Sequence, residues 1–165
     1  MDIKRIIRHL SSNHAAMRRK FPRGALSRIE HAIAEAEKTH AGQICFVVED
    51  ALPLRHLFNG LPSRDRAIEV FSHMRVWDTE HNNGVLIYLL LADRVVEIVA
   101  DRGVHARLGQ ETWDKVCREM EAAFRQGKFE DGAITGIRSV GAHLAAHYPQ
   151  VGAKTNELPD HPVLI

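Results

Sequence analysis

At 165 residues, 45% apolar and 26% charged, the chain has the size and composition of one globular domain that buries a core without staples. The formal net charge of +1 is unevenly spread: residues 1–23 hold seven of the 22 bases (Lys4, Arg5, Arg8, Arg18, Arg19, Lys20, Arg23) but one of the 21 acids, Asp2. No apolar run approaches the roughly 20 residues of a membrane helix, the bases are not interleaved with aromatics as in nucleic-acid binders, and the opening Met-Asp-Ile-Lys-Arg carries no apolar leader segment. A transmembrane segment, a nucleic-acid partner and export are therefore not expected, and a cytoplasmic location is.

Ile3, Ile6, Ile7, Leu10, His14 and Met17 recur at helical spacing with bases between them. They predict one basic amphipathic helix in residues 1–22, which docks on the domain, pairs with a protein partner or lies on a membrane surface. The body of the domain is expected over residues 23–149. Leu26, Ile29, Ile33 and Ala36 stripe a helix from about Leu26 to Thr39, and Ile44–Val48 is a fully buried strand. A proline-bounded loop follows. Ser63 is the expected N-cap of a helix whose inner face holds Ala67, Val70, Phe71 and Met74. The polar segment Trp77–Gly84 breaks that pattern.

Val85–Leu91 and Val95–Ala100 form a hairpin about the turn Ala92-Asp93-Arg94. Asp101-Arg102-Gly103 ends it, with a positive φ expected at Gly103. Trp113, Val116, Cys117, Met120 and Phe124 mark the next helix. Ile134, Ile137, Gly141, Leu144 and Tyr148 mark the last, stopped by Pro149. Residues 150–165 have no periodicity and read as an extended or mobile tail. Strand–helix–strand–strand order predicts an α/β fold: a small mixed sheet with helices on both faces, in three layers. Cys45, Cys117, Trp77 and Trp113 are read as core residues, the thiols free in a reducing compartment.

Ligand-type side chains are densest just before the second strand. Asp78, Glu80, Asn82 and Asn83 offer the oxygens that suit a hard cation such as calcium or magnesium. Strands of a hairpin run antiparallel, so the start of the second strand lies beside the end of the third. That places Asp101 near Asn83, and Asp93 with Arg94 at the far end. The competing reading of the same residues is turn chemistry, Asn-Gly favouring positive φ and Asp capping turns. His143 and His147 stand four apart on one helix face, but the sequence between them lacks the glutamate of a His-Glu-x-x-His site. Nucleophile-elbow, phosphate-loop and dinucleotide motifs are absent from the sequence.

The stretch from Ala67 to Gly103, above all Asn83-Gly84-Val85-Leu86-Ile87 followed by Asp93-Arg94, resembles the TPM domain family, named for thylakoid-lumen, photosystem II repair and nematode receptor-auxiliary members. The resemblance runs from about Ala25 to Pro149. It implies a mixed sheet between helices, an acid phosphatase activity proposed for plant relatives, and calcium binding for some bacterial ones. It also implies secreted or membrane-anchored relatives near LemA-type proteins. Relatives often carry Asp-Asn-Gly where this chain has Asn82-Asn83-Gly84, so one carboxylate is missing here. The resemblance carries the acidic loop, Asp93 and Asp101 forward as site residues.

Two functions follow as expectations. One is a noncatalytic binding or assembly module for a protein partner, with the loop ordered by a divalent cation and the N-terminal helix at a membrane surface. The other is a phosphatase-like hydrolase in which Asp78, Glu80 or Asp101 holds the metal, with Arg94 and Arg102 as the candidate phosphate clamp.

Overall fold

A computed structural model describes residues 2–152 and 155–165; Met1 of the expected N-terminal segment and Ala153 and Lys154 of the expected tail lie outside the described residues. In chain order it contains α1 (Ile3–Ser11), α2 (His14–Lys20), α3 (Arg23–Glu37), β1 (Gln43–Glu49), α4 (Leu54–Phe58), α5 (Ser63–His73), β2 (Gly84–Leu90), β3 (Val95–Ala100), α6 (Arg102–Arg125), α7 (Phe129–His147) and β4 (Val163–Leu164). The four-stranded sheet has the order β3-β2-β1-β4. β1 and β2 are parallel with Gln43 opposite Gly84, and β2 and β3 are antiparallel with Val85 opposite Ala100.

Every residue of β1 and β2 is buried, because helices cover both faces. Ile44, Phe46, Val48, Val85, Ile87 and Leu89 face the layer of α3, α6 and α7, where Ile29, Ile33, Trp113, Met120, Ile137 and Leu144 complete the larger core. Cys45, Val47, Leu86, Tyr88 and Leu90 face the other way, onto Leu57, Ala67, Val70 and Phe71 of α4 and α5. This is the expected three-layer α/β fold. Both cysteines are buried and free, and burial pushes each thiol up to about 12.

Five expectations are corrected. The N-terminal helix is two helices, because Ser12 is extended and Asn13 caps α2 by accepting from the Ala16 N–H at 2.8 Å. Ser63 is not a cap: Pro62 precedes the helix, and the Ser63 hydroxyl donates instead to Glu97 on β3 at 2.7 Å. Asp101 does not end in a turn but caps α6, which starts at Arg102, so Gly103 is helical; the positive φ falls at Gly109, where α6 kinks. The tail returns to the sheet: Val163 and Leu164 pair with Val47 and Val48, and Leu158 is buried. Trp77, also read as core, is 49% exposed.

One outer margin of the sheet is β3, and the two-residue β4 is the other. The Asp101 N–H bonds Gly84 across the hairpin, so Val96 and Ile98 turn their backbone groups outward. Side chains meet them there. Glu121 of α6 accepts from the Val96 N–H at 3.0 Å, and Arg64 of α5 donates to the Ile98 carbonyl at 2.6 Å.

Candidate functional site

The two ends of the sheet differ in chemistry. At the amino end of β1 and β2, Asn83 is buried between three backbone segments. Its side-chain amide donates to the Ala41 carbonyl at 2.8 Å, its N–H donates to the Thr79 hydroxyl at 3.1 Å, and its carbonyl accepts from the Gln43 N–H at 3.2 Å. Asp101 is its neighbour across the hairpin and uses Oδ1 to accept from the Arg102 N–H at 2.6 Å. One oxygen on each remains: Asn83 Oδ1 and Asp101 Oδ2 are buried with no hydrogen-bond partner. Such orphaned oxygens are uncommon in folded proteins.

Glycine is required on both sides of this junction by close approach, not by φ. A Cβ on Gly84 would overlap the Val76 carbonyl oxygen, and one on Gly103 would lie 2.7 Å from the Asn82 carbonyl oxygen. The positive φ of the loop sits at Asn82 (49°), a residue type that tolerates it.

The other loop residues do not join Asn83 and Asp101. Asp78 is exposed, 4.0 Å from Arg75 in an i,i+3 pair. Glu80 is exposed, and its N–H donates to Glu157 of the tail at 2.8 Å. Asn82 and Arg102 are exposed. Among the described residues no three His, Cys, Asp or Glu side chains come together in a group able to hold a metal. The fit to a calcium ion, which takes six to eight oxygens, is therefore partial: Asn83 and Asp101 supply two. The histidine alternative is not assembled either, since His143 packs edge-on against Trp113 at 6.1 Å.

The carboxyl end of β1 and β2, where ligands usually enter open parallel sheets, is covered by α1. Asp93 is the anchor. Arg5 Nε donates to Asp93 at 2.8 Å and Arg8 at 3.0 Å, and His9 Nε2 lies 3.0 Å from the same carboxylate, off the line of a well-aligned hydrogen bond. His9 Nδ1 accepts from the Leu52 N–H at 2.9 Å, so in the neutral ring the proton sits on Nε2, facing Asp93. Burial raises the Asp93 pKa, but the Arg5 bond and the nearby His9 ring outweigh it and hold the carboxyl below its ordinary value. Ser12 donates a short hydrogen bond to Asp50.

Docked by these polar groups, α1 turns its apolar stripe away from the domain: Ile3, Ile7 and Leu10 are 60–64% exposed, and only Ile6 packs onto the core. Sequence reasoning missed the pairing of Arg5 and His9 with Asp93, more than 80 positions away. The surplus of bases in residues 1–23 was its only trace. Beneath α1, Glu49 forms a buried bidentate pair with Arg66 at 2.9 Å and accepts from the Tyr88 hydroxyl at 2.6 Å. Burial, with Glu49 beside it, pushes the Tyr88 phenol far up, so it stays a neutral donor.

A family model of the TPM domain matches residues 21–143. No curated protein matches. The NMR structure of the BA42 protein from the psychrophilic bacterium Bizionia argentinensis is 29% identical over 86% of this chain and 93% of that one, with a TM-score of 0.76. The solution structure of the N-terminal domain of a P. gingivalis protein is 20% identical over 78% and 81%, with a TM-score of 0.59, a likeness of fold alone.

Proposed function

The chain belongs to the TPM domain family, and on that premise we propose that it acts as a noncatalytic binding and assembly module whose docking element is α1. The carrying observation is the inverted seating of that helix. A surface helix ordinarily buries its apolar stripe, whereas α1 is held by Arg5, His9 and Ser12 and presents Ile3, Ile7 and Leu10 outward. Anchors at i, i+4 and i+7 suit the groove of a protein partner. Lys4 and Arg8 flank the stripe, so an acidic rim on the partner, or an anionic membrane surface near it, complements the helix.

The test compares the full chain with the Ile3→Asp, Ile7→Asp, Leu10→Asp variant, which alters exposed side chains alone. Each is used as bait in extract of the source cells and in flotation with anionic vesicles. A specific protein retained by the parent and lost by the variant supports the reading. Equal retention by both excludes α1 as the docking element. Vesicle flotation alone, without a retained protein, moves the function to a lipid surface.

A second reading rests on the two orphaned oxygens. Asn83 Oδ1 and Asp101 Oδ2 are the residues here that would hold a divalent cation, calcium or magnesium, which in a phosphatase-like hydrolase would polarise a phosphoryl oxygen. Titration of metal-free protein with calcium, magnesium and zinc, followed residue by residue by NMR, tests it. Saturable shifts centred on Asn83 and Asp101, with metal-dependent hydrolysis of an aryl phosphate that Asp101→Asn abolishes, favour the hydrolase. Shifts without hydrolysis leave the cation as an ordering element of the binding module. No shift removes the cation from both readings.

A further inference from the structure

We propose that the cavity between the β2–β3 turn and the α6–α7 corner is a binding site for a small amphiphilic anion, a carboxylate or phosphate monoester carried on a short acyl chain or aryl ring. The cavity measures about 210 Å3 and lies on the side of the sheet away from α4 and α5. Its floor is apolar, made of Leu89, Leu91, Phe124 and Phe129, with the two aromatic rings stacked at 5.5 Å. Its rim is cationic, made of Lys20 at the end of α2, Arg94 in the turn and Arg125 at the end of α6.

Three cations line one apolar cavity, Lys20 half-buried and Arg94 and Arg125 exposed, and the domain pairs them only weakly. Neither Lys20 nor Arg94 has a carboxylate within ion-pair distance among the described residues, and Arg125 has one weak contact, 3.8 Å to Glu121 on its own helix. The Lys20 ammonium instead lies 5.3 Å from the centre of the Phe129 ring. Its pKa is lowered, by burial first and then by the Arg94 charge, although Asp50 opposes this. An arriving anion would relieve that repulsion.

The backbone adds an independent sign. Arg94 has φ 57°, a left-handed conformation that costs a non-glycine residue free energy and that glycine adopts freely. A turn needing only its geometry would be served better by glycine or asparagine, whereas this one sets a guanidinium at the cavity rim.

The size selects the ligand class. The volume is below the roughly 300–1,000 Å3 of pockets for drug-sized molecules, so the site takes a chain of up to about eight carbons or a single ring. The charged end would sit at the rim and the apolar end against the phenylalanines. The cavity shares Lys20, Gly127 and Phe129 with a wider cleft of about 650 Å3, which gives the charged end an open approach. The cavity lining includes no residue of α1 or of the Asn83–Asp101 junction.

The test titrates the full chain with sodium octanoate below its micellar range, followed by calorimetry and by NMR of the aromatic side chains. Octanol and inorganic phosphate serve as probes that each lack half of the recognised chemistry. Saturable octanoate binding with shifts at Phe124 and Phe129 is expected, with octanol and phosphate each at least tenfold weaker. Arg94→Gly, which relieves the backbone and is expected to fold at least as stably as the parent, should weaken octanoate about tenfold. Arg125→Gln should weaken it several-fold, and Arg118→Gln, elsewhere on α6, should leave it unchanged. Absence of saturable octanoate binding, equal affinity for octanol, or unchanged affinity in Arg94→Gly would each overturn the assignment. So would binding of phosphatidic-acid vesicles without binding of dissolved octanoate.

Discussion

Replacing Asp93 with asparagine should undock α1 without unfolding the domain. The carboxylate is nearly buried and takes Arg5, 18% exposed, and His9, 1% exposed, together with Arg8, whose side chain is 53% exposed. A hydrogen bond to a charged partner is worth about 1.5–3 kcal/mol net. Arg8 is solvated enough to add at most about 1 kcal/mol, and the His9 contact is poorly aligned. Asparagine keeps one acceptor oxygen but turns an amide donor toward a cation. The net loss is about 2–3 kcal/mol, which raises the undocked population roughly 30- to 150-fold. What remains is the Leu52–His9 bond, the Ser12–Asp50 bond and Ile6, too little to hold a nine-residue helix firmly. Hydrogen exchange at the amides of Ile7–Ser11 should accelerate by that factor, while Leu86–Leu89 in the central strand keep their protection. Unchanged exchange in α1 would refute the anchor. Equal loss in β2 would show that Asp93 supports the whole fold instead of one helix.

The same anchor has a pH dependence. The folded-state Asp93 value is depressed, so its contribution is complete above the unfolded carboxyl range near 3.9 and is lost as pH falls through the lower folded value. Protection of α1 measured down an acid series should fall below about pH 4. Gly84→Ala should cost about 3 kcal/mol or more in urea unfolding, because its methyl would overlap a backbone carbonyl that cannot rotate away. A cost within 1 kcal/mol would mean that β2 shifts freely at this end. Cys45 and Cys117, with thiols pushed up to about 12, should react with a disulfide reagent at neutral pH only at the rate of opening. Rapid labelling of either in folded protein would contradict its burial.

The strands were legible because β1, β2 and β3 are short apolar runs bounded by turn residues, and the hairpin argument correctly set Asp101 beside Asn83. The break at Ser12-Asn13 was not, since Met17 continues the helical spacing of the first helix and is buried in the core. β4 was hidden because two residues have no periodicity. They pair because, at the open margin of β1, the Asp50 N–H donates to the Ile165 carbonyl and the Val48 carbonyl accepts from the Ile165 N–H. The loop at 78–84 shows the limit of composition as a guide. Four polar side chains in sequence suggested one ligand set, but the chain turns at Asn82, points Asp78 and Glu80 to solvent and buries Asn83 alone.

The side chains that meet β3 bear on how the protein behaves when crowded. A strand from another molecule that adds beside β3 must bond Val96 and Ile98, where Glu121 already takes the Val96 N–H and Arg64 the Ile98 carbonyl. Polymerisation through the hairpin margin therefore requires two helices, α5 and α6, to give up contacts first. The sequence pays for this with two long polar side chains rather than with a proline or a bulge. Growth through this margin is thus tied to partial unfolding, and concentration by itself does not drive it.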